Sequence, residues 1–282
     1  MTLSVALLVL LAALLHAGWN ALLKLGNDRL LTMTLIIGVG GAAALPLLPF
    51  LPFPAGASWP FLLLSAALHL GYFFFLIKAY RDGDLGHVYP VARGIAPLLV
   101  AGGAAVLAGE NLPPLGVCGI VLASAGIGSL AFLGGKGTAG SAGKAYLYAL
   151  ATGAFIAAYT LSDGFGVRRS GGALGYIAWL FFISAVALTI AALLARRGAL
   201  ASYTRRYWRP GLAGGAMCAV AYGSVIWALG EAPMAFVSAL RETSVIFAAL
   251  FSALLLKEAF GVGRLLAAVT VAAGVALLHL AA

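Results

Sequence analysis

Two arginines, Arg93 and Arg241, stand inside long apolar stretches of the sequence, where a charged side chain is costly. Arg93 lies between Pro90 and Pro97, and each proline removes a backbone hydrogen-bond donor, which frees carbonyl groups to line a cavity. A guanidinium there could grip a carboxylate, phosphate or phosphonate through two parallel hydrogen bonds. We predict that Arg93 lines a cavity or gate, with snorkelling to the membrane interface as the alternative.

Further polar groups accompany the arginines at helical spacing. Tyr89 is four residues before Arg93 and shares its helix face, and Ser238 is three residues before Arg241. Glu242 is turned about 100° from Arg241 around a helix, so it need not pair with that residue. It could take up a proton, meet a basic group from another span or form a structural ion pair between helices. We predict all five as substrate-binding residues, with Arg93 and Arg241 as two gates near opposite membrane faces.

The first apolar stretch contains the polar sequence "HAGWNALLK". His16, Asn20 and Lys24 recur every four residues and therefore share one face of a helix, with Trp19 beside them. We predict His16, Trp19 and Asn20 as substrate contacts and Lys24 as the end of the span. Packing between helices is the alternative role for His16.

A weaker polar stripe in the sixth apolar stretch corresponds to this cluster. Tyr159 is its predicted substrate contact, and Ser162 and Asp163 follow it. Other candidate cavity walls are His69, Tyr72, Tyr222 and Trp227.

The composition indicates whether these groups are surrounded by water or by lipid. Of 282 residues, 63% are hydrophobic and 9% charged, against about 25% charged in soluble domains. The mean hydropathy is +1.07. Such a chain exceeds what one water-soluble core can bury, and its apolar stretches are continuous rather than alternating as in a membrane barrel. We predict an all-α integral membrane protein in which each span satisfies its own backbone hydrogen bonds.

Charges, glycines and prolines divide the sequence into ten spans of roughly 20 residues. The predicted spans are Leu3–Leu23, Leu30–Phe50, Trp59–Tyr80, His87–Ala108, Pro113–Leu133, Ala145–Phe165, Leu174–Ala195, Pro210–Gly230, Met234–Leu256 and Val262–Leu280. The longest connections are Gly134–Lys144, rich in glycine and serine, and Arg196–Arg209.

The central linker suggests a duplication. Arg93 and Arg241 are 148 positions apart, as are Glu110 and Glu258. We predict a five-helix unit over residues 1–134, a linker loop over 135–144 and a second five-helix unit over 145–282. Because each unit has an odd number of spans, the second is inverted relative to the first, an arrangement typical of transporters.

The distribution of lysine and arginine predicts the orientation. Thirteen of them lie in or beside the odd-numbered loops, and only Arg168 and Arg169 lie in the even-numbered ones. The positive-inside rule then places both termini outside the cytoplasm of a multi-pass protein in the cell inner membrane. The net charge of +9 is thereby explained by topology and by attraction to anionic lipid, so no nucleic-acid partner is expected.

Two segments carry a family resemblance. "PVARGIAPLLVAGGAAVLAGENLPPLGVCGIVLASAGI" starts at Pro90, and "SALRETSVIFAALFSALLLKEAFGVGRLLAAVTVAAGV" starts at Ser238. With ten spans in two halves, they resemble the drug/metabolite transporter superfamily, EamA type. The resemblance implies a basket of helices around a central cavity and a small metabolite, amino acid or drug as substrate. The chain departs from that family in having His16 where a tryptophan is common, and in its predicted outside termini.

The sequence favours a secondary transporter that moves a small polar metabolite, amino acid-like and anionic or zwitterionic, by alternating access. Coupling to protons or to substrate exchange, and a monomer or homodimer, are expected. No cofactor is expected, since the chain lacks a phosphate-binding G-x-x-x-x-G-K-[ST] loop and its two cysteines indicate no metal site. The alternatives are a lipid-modifying enzyme, disfavoured because "RDGD" is the only acidic pair, and a passive lipid-handling protein.

Overall fold

The computed structural model of the protein describes residues 2–82, 85–133, 142–248, 250 and 262–281. The helices in chain order are α1 (Leu3–Leu25), α2 (Arg29–Ala44), α3 (Trp59–Asp82), α4 (Leu85–Ala108), α5 (Pro114–Leu133), α6 (Ala142–Arg168), α7 (Ala173–Ala195), α8 (Ala199–Glu231), α9 (Met234–Arg241) and α10 (Val262–Ala281). Short 3-10 turns over Leu45–Leu47 and Gly56–Ser58 lie between α2 and α3. These residues contain no strand, so the all-helical prediction is confirmed for them.

Within the described ranges, nine helices are long and apolar enough to cross a membrane. The ninth predicted span, Met234–Leu256, extends beyond those ranges, as does most of the predicted linker. In α1, Leu3, Leu7 and Leu11 are exposed on one face, whereas Val5 and Val9 are buried on the other. An outward apolar face of this kind suits contact with lipid, which is the environment of a multi-pass membrane protein.

The predicted loop Arg196–Arg209 is wrong from Ala199 onwards, because α8 already begins there. The helix continues through Pro210 and is kinked at Tyr207, whose φ is −116° and ψ 21°. Proline lacks the amide hydrogen and crowds the carbonyl one turn earlier, so the helix bends at this point. Gly198, with φ of 81°, makes the turn that reverses the chain after α7.

Packing between helices of the two predicted halves brings several candidate residues together. The closest helix pairs include α3 with α6, α1 with α8, α2 with α7 and α5 with α10, while α4 and α1 both contact α9. Where α5 meets α10, a Cβ on Gly274 would lie 2.6 Å from the backbone nitrogen of Ala123. Such close approach is what small residues permit between membrane helices. The inverted duplication itself stays a prediction.

Candidate functional site

The helix that carries Arg241 is interrupted directly after that residue. The amides of Glu242 and Thr243 donate to the carbonyls of Ala239 and Leu240, at 3.1 and 3.2 Å, and helical geometry resumes over residues 244–248. Arg241 is only 2% exposed and Glu242 is fully buried. Glu242 keeps right-handed helical dihedrals, with φ of −69° and ψ of −12°, so the interruption is a tight turn of the 3-10 type. The break therefore presents two adjacent ionisable side chains to the protein interior.

Arg93, Glu242 and Arg241 form one buried ion cluster. Arg93 Nε lies 2.7 Å from Glu242 Oε2, and Arg241 Nε lies 4.0 Å from Glu242 Oε1. Arg93 Nη2 also donates to Ser244 Oγ at 3.1 Å. The expectation of two arginines near opposite membrane faces is wrong, because both guanidinium groups reach the same carboxylate from different helices. Arg93, 2% exposed, does not snorkel to an interface.

An internal cavity of about 50 Å³ lies beside this cluster. Four of the predicted substrate contacts line it: His16, Trp19, Tyr159 and Arg241. Three of the other candidate walls, His69, Tyr72 and Tyr222, line it as well, whereas the fourth, Trp227, does not. The remaining lining residues are Ile37, Phe73, Leu180, Phe181, Ser184 and Cys218. Among the described residues, the cavity is thus lined mainly by aromatic and aliphatic side chains, together with the cation of Arg241.

Aromatic rings in contact with one another build the cavity wall. His69 stacks on Tyr159 with 4.1 Å between ring centroids, and Tyr222 meets both rings edge-on. His16 and Trp19 form an edge-to-face pair at 4.9 Å. These side chains come from α1, α3, α6 and α8, so a relative movement of the helices would change the shape of the cavity.

Arg241 is the charged group of the cavity, and its contacts are weak. Its Nη2 is 3.5 Å from the hydroxyl of Tyr159, and its Cζ lies 5.9 Å from the centre of the same ring. Among the described residues, its Nε and the indole Nε1 of Trp19 find no hydrogen-bond partner. Buried donors without acceptors are costly, so both groups are available to a ligand that carries oxygen acceptors.

The other predicted contacts occupy different positions. The side-chain amide of Asn20 donates to the carbonyl of His16 within α1, at 2.8 Å. The ring of Tyr89 lies beside Arg93, with the guanidinium carbon 5.9 Å from its centre. Ser238 is buried, and its hydroxyl has no hydrogen-bond partner within the described chain. None of these three, nor Arg93 or Glu242, lines the cavity, so they form a layer behind it or beside it.

Asp163 has a more central position than its place in the weak sixth-span stripe suggested. It is completely buried on α6. Its Oδ1 accepts a hydrogen bond of 3.0 Å from the hydroxyl of Tyr176, and its Oδ2 accepts a short one from Tyr222. The sequence signal for this role is a lone acidic residue within an apolar stretch, but its tyrosine partners lie on α7 and α8 and give no sequence signal.

A polar contact closes the end of the molecule where α4, α6 and α8 terminate. The guanidinium of Arg168 donates to the carbonyls of Leu229 and Ala232, at 2.9 and 2.8 Å, and to Glu110 at 2.9 Å. Glu110 also accepts from the backbone nitrogen of Met234 at 3.0 Å and so caps the start of α9. We call this group the Arg168 latch. It joins residues of both predicted halves.

The described residues contain no group of three or more histidine, cysteine and acidic side chains that could hold a metal ion. Cys118 is exposed and Cys218 buried, and both thiols are free.

Comparison with known proteins gives one family and one fold. Residues 143–280 match the model of the EamA-like transporter family, which confirms the resemblance found in the sequence and indicates a membrane transporter. A crystal structure described only as that of a protein covers 99% of this chain and 98% of its own, with a TM-score of 0.79 and 21% identity. At that identity the likeness establishes the fold alone. No curated protein matches the sequence.

Proposed function

We propose that this chain, which matches the EamA-like transporters over residues 143–280, is a secondary transporter of a small polar metabolite. The substrate is amino acid-like, carries a carboxylate and is anionic or zwitterionic. It binds in the cavity at Arg241 and crosses the membrane by alternating access.

One observation carries this proposal: a buried arginine faces an aromatic cavity with few partners of its own. Arg241 lines the cavity at 2% exposure, and among the described residues its polar contacts are a 3.5 Å hydrogen bond to Tyr159 and a 4.0 Å ion pair with Glu242. A carboxylate would supply the acceptors that the guanidinium lacks, through strong charge-assisted hydrogen bonds. The indole nitrogen of Trp19, unpaired among the described residues, offers a further donor on the same cavity.

The aromatic wall supports an amino acid-like substrate. An ammonium group over the face of a tyrosine is attracted by about 0.5–2 kcal/mol, depending on its desolvation. The rings of Tyr159 and Tyr222 line the cavity together with Arg241. A zwitterion therefore has a cation for its carboxylate, ring faces for its ammonium and apolar walls for its side chain.

The broken helix and the Arg168 latch support alternating access. Transporter sites lie typically at discontinuous helices near the bilayer midplane, where two bundles move against each other. Here the break at Glu242 adjoins the cavity, and the latch joins the ends of helices from both halves. Opening the latch on one face, with closure on the other, would expose the cavity alternately.

Counterflow in proteoliposomes tests the proposal. Vesicles loaded with an unlabelled compound from a panel of amino acids and small carboxylates should take up the labelled form faster than empty vesicles. Arg241→Ala should abolish this stimulation. Arg197→Ala, which removes an exposed arginine that does not line the cavity, is the matched control and should retain it. Lack of stimulation by every member of the panel would contradict the proposed function, as would full activity of Arg241→Ala.

A further inference from the structure

The charges buried in the described part of the chain balance one another. The buried acidic and basic side chains there are Arg93 and Arg241, each 2% exposed, and Asp163 and Glu242, both fully buried. When all four are ionised, two positive and two negative groups give a net charge of zero. An uncompensated charge at membrane depth is costly. A ligand with a net charge should therefore bind in the cavity only together with a compensating change in charge.

Asp163 is the member of this set that is not in the ion cluster. Glu242 is held between Arg93 and Arg241, whereas the partners of Asp163 are hydroxyl groups. Tyr176 and Tyr222 donate to its two oxygens. Hydroxyl groups stabilise a carboxylate as donors, and they also accept from a protonated carboxyl after rotation. This environment accommodates both protonation states.

A route for protons connects Asp163 with the cavity. Tyr222 contacts Asp163 and also lines the cavity. The His69 ring lies beside Tyr222, with 5.3 Å between ring centroids. On α3, the Ser65 hydroxyl lies 3.3 Å from His69 Nδ1, and the same nitrogen lies 2.8 Å from the carbonyl of Ser65. A carbonyl only accepts, so Nδ1 of His69 carries a hydrogen. The ring of His69 lines the cavity as well.

We propose that Asp163 is the proton-binding group of the transport cycle, and that it takes up one proton when the cavity binds an anionic substrate. This inference rests on the proposed function. An anion bound at Arg241 would change the buried charge from zero to minus one, and a proton on Asp163 restores zero. The substrate anion and the proton then cross together, whereas a net-neutral zwitterion requires no proton.

Other titratable groups also lie around Asp163. The experiment must distinguish their protonation from that of Asp163. They are Tyr176 on α7, Tyr222 on α8, His69 on α3 and Arg241 on α9. Asp163→Asn keeps the size of the side chain but mimics the protonated form permanently. It should bind and exchange the anion, yet it should not use a pH gradient, because it releases no proton with the substrate.

Proteoliposomes with an imposed pH gradient and a clamped membrane potential provide the transport test, with labelled glutamate as the anionic probe and labelled alanine as the zwitterionic one. The wild-type protein should accumulate glutamate up to about tenfold per unit of pH difference, the equilibrium value for one proton per anion. Alanine should not accumulate. Asp163→Asn should retain glutamate counterflow but lose accumulation, and Ser162→Ala, whose hydroxyl donates to the Phe61 carbonyl, should behave as wild type.

Glutamate accumulation by Asp163→Asn would overturn the assignment. Loss of accumulation in His69→Gln while Asp163→Asn retains it would do the same. Infrared difference spectra of purified protein between alkaline and acidic buffer test proton binding without transport. The carboxylic-acid carbonyl band should be smaller in Asp163→Asn than in the wild type by the contribution of one carboxyl group, since the other acidic residues contribute equally to both. An identical band in both, or none in either, would overturn the proposal. Absence of any counterflow with such a band present would instead contradict the proposed function alone.

Discussion

Arg93 Nε and Glu242 Oε2 lie 2.7 Å apart, although Arg93 is on α4 and Glu242 follows the end of α9. This ion pair joins the two predicted halves of the chain beside the cavity. It also leaves Arg241, 4.0 Å from the same carboxylate, as the cation with spare hydrogen-bonding capacity. The position of the pair fixes which arginine faces the cavity.

Removal of the shared carboxylate should destabilise the protein strongly. Glu242→Gln leaves the buried Arg93 and Arg241 without a counter-ion, which costs about 3–5 kcal/mol for a broken buried pair. We expect a large fall in the thermal unfolding midpoint in detergent. The double variant Arg93→Gln/Glu242→Gln removes one charge of each sign and should recover part of the loss. A Glu242→Gln variant as stable as the wild type would contradict the ion cluster.

The Arg168 latch should control access to the cavity from its end of the molecule. Arg168→Ala removes the hydrogen bonds to Glu110, Leu229 and Ala232. In a Cys118→Ala background, the buried, cavity-lining Cys218 is the one remaining thiol. We expect a membrane-impermeant maleimide to label Cys218 faster in Arg168→Ala than in the parent.

Arg169→Ala is the matched control for that experiment. Arg169 follows Arg168 directly, but it donates to the carbonyl of Phe165 in α6 and lies over the ring of Phe61, so it makes none of the latch hydrogen bonds. Its loss should leave the labelling rate of Cys218 unchanged. Equal acceleration by both variants would indicate general loosening rather than a latch.

Asp28 should make stability depend on pH at low pH. Partial burial tends to raise the pKa of Asp28, but Arg196 and the backbone amides of Leu31 and Leu30 outweigh it and hold the pKa below its usual range. A depressed carboxyl pKa stabilises the fold above the unfolded pKa of about 3.9, and that contribution is lost as the pH falls through the folded value.

Asp28→Asn separates the charge from the helix cap. Asparagine still caps α2, since its oxygen can accept from Leu30 and Leu31, but it forms no ion pair with Arg196. Because the Arg196 side chain is 52% exposed, solvent screens the pair and we expect about 0.2–1 kcal/mol. The unfolding midpoints of the two proteins should differ at neutral pH and converge in acid. A constant difference across that range would contradict this account.

The charge distribution predicts that both termini lie outside the cytoplasm. A reporter that is active only in the periplasm, fused after the C-terminal residue, should be active, and one that is active only in the cytoplasm should be silent. The opposite pair of results would show that the lysine and arginine count misleads for this chain. A fusion in the loop between α7 and α8, near Arg197, should give the reverse pattern and serves as the control.

Hydropathy and charge spacing predicted the helices well, because each span must satisfy its backbone within itself. They also pointed to Arg93 and Arg241 as related residues. They did not predict that these arginines share Glu242, since contact between distant helices depends on their packing. Pro210 shows a further limit: a proline either ends or kinks a helix, and residues 199–209 lie in helix here.

Asp163 shows why the candidate site was found only in part. Its acidic side chain in an apolar stretch marked it, but two of its hydroxyl partners, Tyr176 and Tyr222, come from α7 and α8. Neither tyrosine has a sequence spacing that relates it to Asp163. In contrast, His16 and Trp19 were predictable because one turn of α1 places both on the cavity.

The most direct test is the discrimination between a carboxylate and its carboxamide at Arg241. The amino acid with the strongest counterflow and its amide would compete for labelled uptake in wild type and in Arg241→Gln. A charge-assisted hydrogen bond contributes about 1.5–3 kcal/mol, so the wild type should prefer the carboxylate by about tenfold to a hundredfold. Arg241→Gln should lose that preference. If both proteins preferred the carboxylate over the carboxamide by the same factor, recognition of a substrate carboxylate by Arg241 would be contradicted.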